Sequence, residues 1–190
     1  MVGASQRDPF DVGRPMLAAP YVTLLIAEVA VLATLVALSP HHPPRSYEAG
    51  WAGAASMIAM QVYSLRRRLR VLRNAGSLRT WLDAHIFLGM QGFVLVAYHS
   101  VGITANASLA AVNFALVTIV VITGIAGRYL YGYVAYARLA AAVDRDSRWR
   151  AALELADRWL ARWSLVHRPL AVVLLGITTL HVLAHYAYAT

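Results

Sequence analysis

Long apolar segments constrain the fold of this chain more than any other feature of its sequence. A helix that crosses the hydrocarbon core of a bilayer needs roughly 20 mostly apolar residues. Five stretches are candidates, at about 21–38, 50–65, 81–103, 109–136 and 169–188, and the second is the shortest. Because the sequence lacks the alternation of a membrane β-barrel, we predict an all-α integral membrane protein with about five transmembrane helices.

The composition agrees with this fold class. Of the 190 residues, 59% are hydrophobic and 14% are charged, whereas a soluble domain is typically about 45–50% apolar and about 25% charged. The net charge is +8, and all 17 basic residues are arginines, which lie mostly between the apolar segments. This distribution is an orientation signal of membrane proteins. We therefore expect the lipid bilayer, and no nucleic acid, among the partners.

Arginine counts in the connecting loops predict the orientation of the chain. Residues 64–79 carry six arginines and residues 128–168 carry eight, whereas residues 41–48 carry one and residues 101–108 none. Arginine-rich loops face the cytoplasm. We expect a cytoplasmic N-terminal segment (1–20), one transmembrane domain (21–190) and a C-terminus outside. The N-terminus lacks the pattern of a signal peptide, so we expect the first apolar segment to be retained.

The segment at about 145–164 has an amphipathic pattern. Its apolar residues recur at the spacing of one helix face, and its charged residues occupy the other face. We interpret it as an interfacial helix lying in the headgroup layer. A docking surface for a cytoplasmic partner is the alternative. The apolar face consists of Trp149, Ala152, Leu153, Ala156, Trp159, Leu160 and Trp163.

Two pairs of histidines within the apolar segments share one spacing. His85 and His99 are fourteen positions apart, and so are His167 and His181. Fourteen helical residues turn through about 1,400°, some 40° short of four turns, and rise about 21 Å. Each pair therefore shares one helix face. The two helices are parallel because one span separates them. His85 is then level with His167, and His99 with His181.

Two levels of facing imidazoles predict two bis-histidine haems. Neutral imidazole is a good ligand for haem iron, and two axial imidazoles leave no open position for oxygen or substrate. The chain has no cysteine, so both haems would be non-covalent haem b. With irons about 20 Å apart, they would carry electrons across roughly 30 Å of hydrocarbon. One alternative is a variant with a single haem or with a five-coordinate haem. Another is a haem-free scaffold or assembly protein, whose histidines bond across helices.

Several other residues fit this interpretation, and each has an ordinary alternative. Arg128 and Arg168 either pair with haem propionates or snorkel from the end of a span. His185 lies eighteen residues beyond His167 and shares its face. We expect His181 to be the ligand, and His185 to be a surface residue or part of a quinone or proton site. Glycines in these helices either leave room for a flat haem macrocycle or let two helices pack closely. They are Gly89, Gly92, Gly124, Gly127 and Gly176.

The sequences HIFLGMQGFVLVAYHS (85–100) and VITGIAGRYLY (121–131), together with the histidine pairs, resemble a known superfamily. They are similar to the cytochrome b and ferric reductase-like transmembrane domains, and most to small bacterial membrane cytochromes. The resemblance covers about Trp81 to Tyr188. It implies a di-haem four-helix bundle in the bacterial inner membrane. The axial ligands would be His85, His99, His167 and His181.

The resemblance does not extend to a flavin and nicotinamide domain, since no Gly-rich dinucleotide turn is present. We therefore expect an electron-transfer subunit that works with other redox subunits as donor and acceptor, rather than a stand-alone enzyme. The alternative is a quinol or ferric reductase with its site at one membrane face. The candidates for a quinone pocket are then Tyr98, Tyr129, Tyr131 and His185.

Overall fold

The structure, a computed structural model, describes residues 17–41, 43–101, 108–143 and 147–188. All regular structure in these residues is helical, which confirms the predicted all-α class for them. Residues 1–16 of the predicted cytoplasmic segment lie outside the described ranges. The helices are α1 (Ala19–Leu38), α2 (Ser46–Ala59), α3 (Val62–Arg68), a 3₁₀ helix (Arg70–Asn74), α4 (Leu78–His99), α5 (Leu109–Val143) and α6 (Ser147–Tyr188).

Four segments of the described chain are long and apolar enough to cross a membrane, as in a multi-pass membrane protein. They are Ala19–Leu38, Leu78–His99, Leu109–Val134 and Leu153–Ala187. Large apolar side chains on their outer surfaces are exposed, as in Leu24 (56%) and Ile26 (64%) of α1. Such surfaces are typical of contact with lipid. The predicted second span (50–65) corresponds to α2, which has only 14 residues, and the start of α3.

The segment formed by α2 and α3 packs antiparallel along α4. Gly53 and Gly92 lie at the closest approach, because a Cβ on either would be 3.1 Å from the carbonyl oxygen of the other. Toward one end Gly50 meets His99, and toward the other the Arg66 guanidinium lies 5.8 Å from the centre of a tryptophan ring on α4. Small residues at such contacts let two membrane helices approach closely.

The turn between α3 and α4 is held by side chains from both helices. Arg66 is buried and donates from Nη2 to the Gly76 carbonyl oxygen at 2.7 Å. Trp81 donates its indole N–H to the Ala75 carbonyl oxygen. Gly76 has φ of +70°, a left-handed conformation that favours glycine. Ser77 then caps α4 by accepting a hydrogen bond from the Thr80 N–H at 3.1 Å.

Helices α5 and α6 form a long antiparallel pair. Asn113 contacts Thr178 at one end, and Arg138 pairs with Asp157 at 3.1 Å near the other. With 35 and 42 residues, these helices are about 52 and 63 Å long, which exceeds the roughly 30 Å of hydrocarbon. Each of the two helices is therefore longer than one membrane crossing requires.

The predicted interfacial helix (145–164) and the predicted last span (169–188) are not separate elements. From Ser147 onward both belong to the continuous helix α6, which runs through Pro169. A proline inside a helix removes one backbone hydrogen bond, and packing against α5 on both sides of Pro169 compensates. On the predicted apolar face Ala156 is buried, Trp163 is half-buried and Trp159 is exposed. The side chains of Trp149 and Ala152 lie outside the described part.

A small apolar core joins four helices at mid-length. Val117 and Val120 of α5 and Leu174 of α6 are its buried members. Met57 of α2 and Phe93 of α4 pack against them. Leu174 is seven residues from His167 and seven from His181, so this apolar layer separates the two histidine levels.

Candidate functional site

The histidine level nearer the arginine-rich loops, called here the inner level, contains His85 of α4 and His167 of α6. The His85 Nδ1 atom lies 3.0 Å from the Met60 carbonyl oxygen. Met60 stands at the break between α2 and α3, where its carbonyl also accepts the Tyr63 N–H at 3.3 Å. Because a carbonyl oxygen can only accept, His85 Nδ1 carries the proton and donates it.

The orientation of His167 is set from α5. The Thr123 hydroxyl donates to the Val120 carbonyl oxygen at 2.9 Å. Its single proton is thereby used, so toward His167 Nδ1, at 3.0 Å, the hydroxyl acts as the acceptor. His167 Nδ1 is therefore the donor. The His167 ring lies beside Gly124, where a Cβ would be 3.3 Å from Cε1.

Trp163 supports the same imidazole from one side. Its ring stacks on His167 with centroids 5.1 Å apart and planes 17° apart. The indole N–H donates to the Thr123 carbonyl oxygen at 2.6 Å. The indole lies where a Cβ on Gly127 would be. Thr123 and Trp163 therefore restrain His167 together.

The other histidine level, called here the outer level, contains His99 of α4 and His181 of α6. The His99 Nδ1 atom lies 2.8 Å from the Ser46 carbonyl oxygen, in the first turn of α2, so it is also a donor. The ring lies against Gly50, where a Cβ would be only 2.8 Å from Nδ1. His99 reaches the Ser46 carbonyl because this helix turn has no side chain at position 50.

A cleft opens between the two histidines of the outer level. It has about 830 Å³ of atom-free space, including its open side, and its walls are mostly apolar. Asn113 is buried in one wall and accepts a hydrogen bond from the Thr178 hydroxyl at 2.9 Å. Both His99 and His181 line the cleft, together with Met57, Val96, Phe114, Val117 and Val182.

The histidines lie near one another in the pairs that the fourteen-residue spacing indicates. His85 and His167 are close enough to interact electrostatically. His99 and His181 interact in the same way. Since α4 and α6 therefore run parallel, each level has one imidazole from each helix.

Three of the four imidazoles are held in one tautomer by neighbouring acceptors. With Nδ1 protonated, the Nε2 atom keeps its lone pair. Metal-binding histidines usually donate their other ring N–H to a carbonyl or a similar acceptor, which fixes the ring and raises its basicity. His85, His99 and His167 thus have Nε2 atoms in the state that binds haem iron.

The predicted flanking glycines have contacts of two kinds. Gly89 and Gly92 face α2, where a Cβ would be 3.3 Å from Met60 Sδ and 2.9 Å from Met57 Cγ respectively. Gly124 and Gly127 receive the rings of His167 and Trp163. A Cβ on Gly176 would have no atom within 4 Å. In this structure four of these glycines accommodate a neighbouring helix, the His167 ring or the Trp163 ring, and Gly176 accommodates none of them.

The predicted arginines lie near the inner level. Arg128 is one turn beyond Gly124 on α5, and its Nε atom is buried. Arg168 directly follows His167 and is exposed. These positions place two guanidinium groups at the same end of the bundle as the inner histidine pair.

His185 lies at the mouth of the outer cleft. Its ring is 5.7 Å from that of Tyr47, and the Tyr47 and Tyr186 hydroxyls are 3.5 Å apart. Trp51 lies beside both tyrosines. His185 therefore belongs to an exposed aromatic cluster, which consists of Tyr47, Trp51, His185 and Tyr186.

The four residues considered for a quinone pocket do not come together. Tyr98 is buried at the outer end and donates to the Pro44 carbonyl oxygen at 2.7 Å. Tyr129 and Tyr131 lie on the part of α5 that packs beside Trp163. Along α6, Trp163 and His185 are about 30 Å apart. A single pocket lined by all four is therefore not formed.

Comparisons with known proteins do not assign the chain to a family. No family model, curated protein or solved structure matches it. Within the described residues there is also no cluster of three or more histidine, cysteine, aspartate or glutamate side chains suited to a bare metal ion. A bis-histidine haem differs in this respect, because the protein supplies only two ligands and the macrocycle supplies the other four.

Several residues of the site could not be recognised from the sequence pattern. Gly50 was assigned only as the start of a short span, and Thr123 and Trp163 had no role beyond their helix. Their functions depend on contacts across helices. One signal was available for Gly50 and Gly53, which are small residues spaced on one face of an apolar segment.

Proposed function

We propose that this protein is a transmembrane electron-transfer subunit that binds two haems b, one at each histidine level. The observation that supports it most is the state of the imidazoles. Paired histidines on parallel helices keep Nε2 available, and three of the four have Nδ1 fixed by an acceptor. Bonds from Nδ1 across helices would also suit a haem-free scaffold, but a scaffold does not require two matched levels of paired imidazoles.

Each histidine pair would serve as the axial ligands of one haem. His85 and His167 would hold the inner haem, and His99 and His181 the outer one. When bound in this way, the group supplies one-electron chemistry and no open coordination site. Arg128 and Arg168, at the same end of the bundle as the inner pair, are the proposed partners of the propionates of the inner haem.

The apolar layer between the levels keeps the two sites apart. Leu174, Val117 and Val120 fill the middle of the bundle, and the histidines of each helix are about 21 Å apart along its axis. This layer excludes water from the centre of the bundle.

We also propose five membrane crossings. The Tyr21 ring on α1 lies 4.9 Å from the Phe87 ring on α4, and further along both helices Glu28 bonds to Gln91. These contacts show that α1 and α4 run in the same direction. In this proposal the α2–α3 segment between them, antiparallel to α4, returns the chain across the membrane.

Five crossings and the arginine distribution give the proposed location. The arginine-rich loops face the cytoplasm of a bacterium, and the C-terminus lies outside the inner membrane. A C-terminal reporter that is active only outside the membrane supports this orientation, and one that is active only in the cytoplasm contradicts it. Redox subunits on the two sides are the proposed partners. The cytoplasmic redox subunit would bind the ends of α5 and α6 near the Arg138–Asp157 ion pair. These ends extend past the inner level.

The spectrum of the purified protein tests the proposal. Two bis-histidine sites predict a low-spin b-type spectrum in both oxidation states. They also predict no change on addition of carbon monoxide, because the iron has no open position. A colourless preparation would instead favour the haem-free scaffold, and a high-spin spectrum would contradict paired axial histidines.

A quinol or ferric reductase is the second candidate, and the exposed aromatic cluster favours it. His185 and Tyr47 stand at the mouth of the cleft that contains the outer histidines. They could offer hydrogen-bonding groups to a quinol. Reduction of the purified subunit by a quinol analogue, without other subunits, and its loss on replacing His185 by alanine would support this candidate. No reduction by the quinol would leave electron transfer between partner subunits as the function.

A further inference from the structure

A carboxyl group lies in the middle of the apolar helix α1. Glu28 is the tenth of the twenty residues of α1, and it is the only charged residue in that helix. Its side chain is half-buried. An ionisable residue at such a depth is costly, faces a polar partner and usually has a function. The proposed haem sites give Glu28 no role.

Glu28 belongs to a chain of polar side chains that links three helices. Its carboxyl group lies close enough to the Gln91 side chain of α4 for a hydrogen bond between them. The Gln91 Oε1 atom in turn accepts a hydrogen bond from the Ser56 hydroxyl of α2 at 3.4 Å. The amide N–H of Gln91 can therefore donate to Glu28. These partners can accommodate either a carboxylate or a carboxylic acid.

Gln91 places this carboxyl group between the two histidine levels. It lies six residues after His85 and eight residues before His99, which correspond to about 9 and 12 Å along α4. The carboxyl group therefore lies at a depth between the two levels, where screening by water is weaker than at the surface.

Other charged groups on α4, the helix packed against α1, are directed elsewhere. Arg79 and Asp83 pair with each other at 3.7 Å near the start of α4. His85 and His99 are directed to carbonyl oxygens of α2. Gln91 is thus the described α4 side chain that bonds to Glu28.

We propose that Glu28 is a proton-binding site whose occupancy is coupled to the oxidation state of the haems that the two histidine levels would hold. This inference rests on the proposed function. A ferric iron with two neutral imidazoles in a dianionic macrocycle has a net charge of +1, which favours the nearby carboxylate. When a one-electron reductant removes that charge, a Glu28 carboxylate oxygen takes up one proton from water. One O–H bond forms, and the local charge is unchanged.

The test is a redox titration of the purified, haem-loaded protein from about pH 5 to about pH 9, with a range of redox mediators. The midpoint potential of at least one haem should fall as pH rises, by up to about 59 mV per pH unit for one proton per electron. Glu28→Gln keeps the size and hydrogen-bonding capacity of the side chain but cannot titrate, so its slope should be lost. Glu154→Gln is the matched control, because Glu154 is exposed on α6 thirteen residues before His167, and its slope should equal that of the wild type.

Each outcome has a distinct meaning. A pH-independent wild type, or a Glu28→Gln variant that keeps the wild-type slope, overturns the inference but leaves the haem proposal intact. Absence of bound haem overturns the proposed function itself. If Glu28→Gln does not fold, proton uptake by the wild type on reduction in weakly buffered solution decides the matter. Uptake that is matched by a redox-dependent infrared band of a protonated carboxyl group supports the inference, and zero uptake refutes it.

Discussion

His99 donates its Nδ1 proton to the carbonyl oxygen of Ser46, 2.8 Å away in the first turn of α2. This contact depends on Gly50, where a Cβ would lie 2.8 Å from the imidazole. The outer histidine is therefore positioned by a backbone group and by the absence of a side chain. Much of the geometry of the site comes from such contacts between helices.

Replacing Gly50 by alanine should impair the outer haem site. The new methyl group displaces the His99 ring from the Ser46 carbonyl, and loss of such an orienting partner typically lowers affinity about 10–100-fold. We expect reduced occupancy of one haem and normal occupancy of the other, measured by haem titration of the apoprotein. Gly176→Ala is the control, because its Cβ would meet no atom within 4 Å. Equal haem affinity in both variants would show that the Gly50 contact has no such role.

Replacing Thr123 by valine should affect the inner haem site. Valine matches threonine in shape but cannot accept the His167 Nδ1 proton, so the tautomer of His167 is no longer fixed. We expect about 10–100-fold weaker binding of the inner haem, again measured by haem titration. Thr118→Val is the control, since the Thr118 hydroxyl bonds only to the Phe114 carbonyl of its own helix. The account of His167 fails if the two variants behave alike.

Substitutions of the ligands should remove the haems one level at a time. Alanine at His85 or at His167 should abolish the inner haem and retain the outer one, because the two levels have no ligand in common. Redox titration then shows one component where the wild type shows two, and the same component should be missing from both variants. Loss of both haems in equal measure from properly folded protein would contradict separate levels.

The choice between His181 and His185 is open to a direct comparison. Both line the outer cleft, but His181 interacts with His99, whereas His185 lies at the exposed mouth beside Tyr47. His181→Ala should therefore lose one haem per chain, and His185→Ala should lose none, as measured by absorbance per protein. The reverse result would make His185 the ligand.

The histidine levels could be predicted because they depend on regular helix geometry. Fourteen residues return to nearly the same helix face, and apolar length identifies the helices. The pairing of His85 with His167 follows from these two facts alone. It required no knowledge of the residues that surround either histidine.

Contacts that depend on irregular backbone or on packing could not be predicted in this way. The break after α2 at Met60 provides the carbonyl that orients His85. No proline or glycine at that point predicts the break. The predicted interfacial helix (145–164) and the predicted last span (169–188) are one helix, because α6 continues through Pro169 with α5 packed on both sides. Gly50 has its role only because His99 lies opposite on another helix.

The number of haems per polypeptide is the most direct test of the central claim. A pyridine haemochrome assay on the purified full-length chain, combined with amino-acid analysis of the same sample, gives this ratio. Four paired imidazoles predict two protohaems per chain. A ratio of zero in folded protein would contradict haem binding altogether, and a ratio of one would contradict the two-level arrangement.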